Sequence, residues 1–138
     1  MSADTTRVTE TELALLQALW QRGPATIGEL TASLYPQQTA PQYATVQKLL
    51  ERLEAKRCVV RDRGGRAHRF TATVTREDFI GNQLQSLADK LCGGSLTPLL
   101  TQLVEARKFK RRDIENLRET LDRVESTQGR RKRRGRST

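Results

Sequence analysis

The chain has 138 residues, 36% of them hydrophobic and 30% charged, enough for one compact domain or two very small ones and too apolar for disorder throughout. Its formal net charge of +9 favours polyanionic partners, because lysine and arginine displace the counterions condensed on nucleic acid. No apolar run nears the roughly 20 residues of a membrane span, Met1 to Thr11 lack the apolar core of a signal peptide, and Cys58 and Cys92 have no metal-ligand spacing. A cytoplasmic protein with reduced thiols and no cofactor is expected.

Thr9 and Glu12 open the first predicted helix as a capping box. Leu13, Leu16, Leu19 and Trp20 follow at helical spacing until Gly23-Pro24 stops them. A second box, Thr26 with Glu29, starts a short helix carrying Ile27, Leu30 and Leu34, which Pro36 ends near Tyr35. Residues 36–41 read as a turn-like connector. A third helix is expected from Gln42 to about Ala55, with Val46, Leu49, Leu50 and Leu53 inward and Tyr43 at the edge of that arc. Ala44, Thr45, Gln47, Lys48, Glu51 and Arg52 then face away.

After Lys56-Arg57 the period changes from helical to alternating. Residues 58–62 and 67–72 are β-prone runs flanking Arg63-Gly64-Gly65-Arg66, a hairpin signal with basic residues at its tip. Three more apolar stripes follow: Phe79, Ile80, Leu84, Leu87 and Leu91, closed by Gly93-Gly94; then Leu96, Leu99, Leu100, Leu103 and Val104; then Ile114, Leu117, Leu121 and Val124. Thr97 is the expected cap of the middle stripe, with Pro98 in its first turn. Three such helices in about 50 residues bury their faces poorly alone, so pairing with a second copy is the economical arrangement. Beyond Ser126 the periodicity ends in Arg130, Arg131, Lys132, Arg133, Arg134 and Arg136, six of the nine net charges.

The fold expected is mainly α with a small β-hairpin wing. It comprises a winged helix-turn-helix DNA-binding domain over residues 7–75, a three-helix dimerisation region over 76–126, and an unstructured basic tail over 127–138. In such a domain the third helix enters the major groove with its N-terminal residues nearest the bases. Gln42, Tyr43, Thr45, Gln47 and Lys48 form the expected contact set, because glutamine pairs with adenine and lysine with guanine. Arg52 lies further along, toward phosphate, and Arg63 and Arg66 at the wing tip meet the minor groove or the backbone. The expected dimer contacts are Leu84, Leu87, Leu91, Leu99, Leu103, Leu117 and Leu121. His68, the single histidine, reads as an exposed strand residue and no metal ligand, and Trp20 as core.

Glu12-Leu13 with Leu19-Trp20, Thr26-Ile27-Gly28-Glu29-Leu30, Tyr43-Ala44-Thr45-Val46, Leu50-Glu51-Arg52-Leu53 and Gly65 through Phe70 occur here in order. With 90–95 and 113–117, they make the chain resemble the penicillinase-repressor (BlaI/MecI-type) family of winged-helix regulators over roughly residues 9–125. The resemblance implies a homodimer with interlocked distal helices, reading a palindromic operator in double-stranded DNA. It also implies a membrane-bound sensor protease acting through cleavage of an Asn-Phe bond, but the aligned pair here is Gln102-Leu103, which lacks that bond. Relatives often have glycine where Arg57 stands, a cost of about 1 kcal/mol if the turn is left-handed.

Two other readings fit the same charge: a nucleic-acid-binding protein without sequence preference, chromosome-structuring or RNA-binding, and an adaptor whose winged face grips an acidic protein surface. An enzyme is disfavoured, since the sequence offers no phosphate-binding glycine loop and no nucleophile–base pair.

Overall fold

The computed structural model describes residues 3–106 and 108–136, with side chains described up to residue 129. The elements run α1 (Glu10–Arg22), β1 (Ala25–Thr26), α2 (Ile27–Leu34), α3 (Ala40–Ala55), β2 (Val59–Asp62), β3 (Arg69–Ala72), α4 (Arg76–Leu91), α5 (Thr97–Glu105) and α6 (Arg111–Arg136). They divide into two compact units, one ending at Gly94 and the other starting at Ser95.

In the first unit, α1 starts where the Thr9 hydroxyl accepts the Glu12 amide at 3.2 Å. The predicted box is only half formed. Glu12 does not turn back to the cap amide; its buried carboxylate receives the Lys56 ammonium at 2.8 Å on both oxygens, tying the start of α1 to the end of α3. A buried carboxylate without such a partner is strongly destabilising, so Lys56 belongs to the fold rather than to the solvent. The α2 box is complete, with Thr26 and Glu29 bonding each other's backbone.

The helix α3 begins two residues before the predicted start. Thr39 caps it, Pro41 occupies its first turn, and Gln42 returns its side-chain oxygen to the Thr39 amide at 3.0 Å. The sequence Thr39 to Gln42 is thus a third capping box, hidden because a proline suggests a connector although it is well tolerated in a first turn. At the far end, the Arg57 amide donates to Glu54 O at 3.0 Å and the Cys58 amide to Leu53 O at 2.9 Å. That pair of bonds is a Schellman ending with Arg57 left-handed at φ 63°. The turn needs a backbone that glycine adopts freely and arginine does not.

The hairpin has β2 and β3 antiparallel, Arg61 opposite Phe70, and β1 pairs with the other edge of β3, giving the order β1-β3-β2. Its strands are shorter than predicted, and residues 63–68 form the loop between them. His68 therefore lies just outside the strand and is half-buried, not an exposed strand residue.

The core gathers Leu15, Leu16 and Leu19 from α1, Leu30 from α2, Val46, Leu49, Leu50 and Leu53 from α3, and Val59 and Phe70 from the hairpin. Trp20 packs at its margin; its indole donates to Val74 O at 2.8 Å, and its ring tilts against Phe79 with centroids 5.6 Å apart. Phe79 and Ala88 are buried on the inner face of α4, and Gln83 donates to Thr5 O at 2.6 Å. The fourth helix thus packs with the winged unit, whereas its stripe alone places it with the distal helices. Ile80, Leu84, Leu87 and Leu91, on its other side, are 43–70% exposed.

In the second unit, α5 starts from Leu96 without a side-chain cap, and Thr97, the expected cap, is already helical. The Lys110 amide donates to Asp113 at 3.2 Å at the start of α6. No residue of α5 is buried. Leu100, Leu103 and Val104 of α5, and Ile114, Leu117, Leu121 and Val124 of α6, are 37–63% exposed, while Leu99 is half-buried. The helix α6 continues to Arg136, past Ser126 where the sequence reading ends it. Arginine, lysine and glutamine are good helix formers and no proline interrupts them, though Gly129 and Gly135 in the same stretch weaken that preference.

Candidate nucleic-acid interface

Three short-range decisions of the chain build one face. The Thr26–Glu29 box aims the start of α2, the Thr39–Gln42 box aims the start of α3, and the β2–β3 pairing sets the wing loop beside them. These parts meet at an open cavity of about 480 Å³ lined by Thr26, Ile27, Gly28, Tyr43, Arg66, Ala67 and His68. Tyr43 and Arg66, nominated separately from helix and wing, therefore share one cleft.

On α3, burial of Val46, Leu49, Leu50 and Leu53 forces the opposite side outward. Thr45, Gln47, Lys48 and Arg52 are exposed, and Tyr43 is 45% exposed, so its ring is available rather than packed away. Among the described residues, none of Lys48, Arg52, Arg63 and Arg66 takes part in an ion pair. The Thr45 hydroxyl donates to Pro41 O at 2.9 Å, which leaves only its lone pairs to offer outward. Gln42 is half-buried and its side-chain oxygen is engaged at the helix cap. It acts first in orienting α3, and its amide nitrogen with one remaining lone pair of the oxygen is what it has left for a ligand.

One group of residues escaped the sequence reading. Arg61, on β2, reaches Glu54 of α3 at 3.3 Å and His68 Nδ1 at 3.3 Å, with its guanidinium 4.9 Å over the Phe70 ring. A half-buried cation that touches α3, the wing loop and an aromatic face fixes the angle between helix and hairpin. The available signal is alternation: Val59 and Arg61 lie two apart, hence on one side of the strand, so an inward arginine was readable.

At the other edge, Arg22 pairs with Glu29 at 2.6 Å and reaches Ser33 at 3.2 Å, bracing α1 against α2. Hydrogen bonds from the Thr26 backbone and hydroxyl, with Arg22 and Arg69 nearby, hold the Glu29 carboxyl below its ordinary value of 4.5. Burial, helped by the negative charge of Asp4, pushes the Cys58 thiol up from 9.0, so it stays protonated and unreactive under ordinary conditions.

A helix-turn-helix core closed by a basic hairpin, with the outer face of its third helix polar and exposed, defines a winged helix-turn-helix protein. Comparison with known sequences narrows the class. A model of the penicillinase repressor family matches residues 8–123. "Transcriptional regulator BlaI" of Mycobacterium tuberculosis, from two strains, is 30% identical over 138 residues, covering 99% of this chain and 98% of the relative. A Latilactobacillus sakei protein, "Uncharacterized 16.5 kDa protein in ptsI 3'region", is 28% identical over 121 residues, covering 88% and 82%. The chain belongs to the penicillinase repressor family, and it is a transcriptional regulator rather than an enzyme. No described helix is long and apolar enough to cross a membrane.

Proposed function

We propose that this regulator represses transcription by binding a palindromic operator as a homodimer in the cytoplasm. One α3 of each protomer lies in the major groove, and the wing lies on the adjoining backbone. Gln47 and Lys48 read bases, Tyr43 and Thr45 contact bases or the sugar-phosphate edge, and Arg52, Arg63 and Arg66 neutralise phosphates. The observation that carries this reading is the outer side of α3, polar and exposed for its whole N-terminal half, sharing a cleft with the wing. The exposed leucines of α4, α5 and α6 support the second copy, since stripes of this extent on a soluble chain mark an interaction surface.

The reading includes no sensor protease. Gln102 and Leu103 replace the cleavable pair and lie within α5, inside regular helix.

Selection of bound sequences from a random duplex pool tests the proposal. The expected product is an inverted repeat whose half-sites are about one helical turn, roughly 34 Å, or a multiple apart. A pool that stays random, or an enriched site without two-fold symmetry, would overturn it.

A further inference from the structure

We propose that the basic segment 130–136 is a second DNA contact, one that holds the phosphates of a duplex without reading its sequence. The inference rests on the reading that the protein binds an operator in duplex DNA, and it adds a site outside the winged face.

The apolar stripe of α6 ends at Val124, yet the helix runs on to Arg136. The two halves of that helix have different chemistry. From Ser126 to Thr138 the sequence contains no acid, no apolar residue and no aromatic, but six arginines and lysines within seven positions. In the sequence, Arg130 with Arg133 and Arg134, Arg131 with Arg134, and Lys132 with Arg136 are like charges three or four positions apart. Such pairs destabilise an isolated helix, and a dense line of negative charge relieves the repulsion. Double-stranded DNA, with about one charge per 1.7 Å of axis, supplies such a line.

The missing residue types select among polyanions. A helix buried in a membrane interface needs an apolar face, and residues 126–138 have none, which leaves a lipid surface only the weak attraction of charge. Recognition of single-stranded RNA uses aromatic platforms for its bases, and these too are missing from the segment. An acidic protein partner would be gripped around apolar anchors, again missing. What remains is phosphate contact by charge alone, and arginine, which makes up five of the six cations, suits phosphate bidentately.

The test compares the full chain with one stopped after Gln128 and with a variant carrying Gln at all six basic positions of 130–136. Circular dichroism and gel filtration first establish that both keep the parent's fold and assembly state. Affinity is then measured by anisotropy on a selected duplex and on a random one, between about 50 and 200 mM salt. The expected result is a loss on both duplexes, roughly tenfold or more at the lower salt, with the ratio between them unchanged. The slope of log affinity against log salt should flatten by up to about 5 per chain, six contacts at about 0.9 each.

An unchanged slope would overturn the proposal, as would a loss confined to the selected duplex. A loss confined to single-stranded RNA or to anionic phosphatidylserine vesicles, with duplex binding intact, would also overturn it. Failure of the parent reading looks different: the full chain would show no preference between duplexes, whatever the segment contributes.

Discussion

The residues up to Gly94 and those from Ser95 onward treat their leucines in opposite ways. In the first unit Leu15, Leu16, Leu30, Leu50 and Leu53 are fully covered, and helices and sheet close on one another within a single chain. In the second, Leu100, Leu103 and Leu121 are 48%, 43% and 63% exposed, and no residue of α5 is buried. The winged unit thus closes its own core, whereas the distal helices leave an apolar face uncovered, the face to which the proposed dimer assigns a second copy. Helix α4 joins the two behaviours in one element. Its inner side buries Phe79 and Ala88, and its outer side leaves Leu84 and Leu91 bare.

The contrast can be broken from its stronger side first. Leu16→Ala empties a fully covered position and should destabilise the winged unit by about 2–5 kcal/mol in a denaturant titration. A change below about 1 kcal/mol would mean that the core is less tightly closed than its burial indicates. From the weaker side, Leu117→Asp with Leu121→Asp should leave that unfolding transition in place while dividing the chain's assembly. Operator affinity should fall by at least about 100-fold, the avidity lost when two modules part. A gel-shift titration with unchanged affinity would remove the dimer from the proposal.

The next two effects are smaller and sharpen the comparison within the winged unit. Lys48→Ala should cost about 1–3 kcal/mol of discrimination at one base position and alter the selected site there, with little change in fold stability. An equal loss on every sequence would assign Lys48 to phosphate instead. Arg57→Gly should stabilise the chain by about 1 kcal/mol, because it relieves a left-handed backbone at φ 63°. A thermal scan showing a lower midpoint would mean that the arginine side chain has a compensating contact.

Legibility in the sequence followed the range of the interaction. The Thr26–Glu29 box, the inward arc of Val46 to Leu53 and the exposed outer side of α3 are local or periodic, and all were readable. The two-residue strand β1 has no signal of its own, because Ala25 and Thr26 become a strand only when β3 lies alongside. Gln42 shows how two local rules compete. Its polar amide and place near the front of the helix nominate it for a base, but its spacing from Thr39 makes it a cap. The Arg61 bridge between Glu54 and His68 joins residues seven apart on either side, through a turn at one end and a hairpin at the other, so only tertiary structure brings it together. For α4, helical periodicity reported an apolar stripe correctly, but a stripe does not state which neighbour it serves.

The placement of Trp20 gives the molecule a built-in optical gauge. It is the one tryptophan in the chain, and its indole is bonded to Val74 just before the fourth helix and rests on the first turn of that helix through Phe79. Tryptophan emission therefore originates where the core of the winged unit meets the start of the fourth helix. A change in the contact of Trp20 with Val74 and Phe79 is expected to shift the colour or intensity of that emission, with no dye attached.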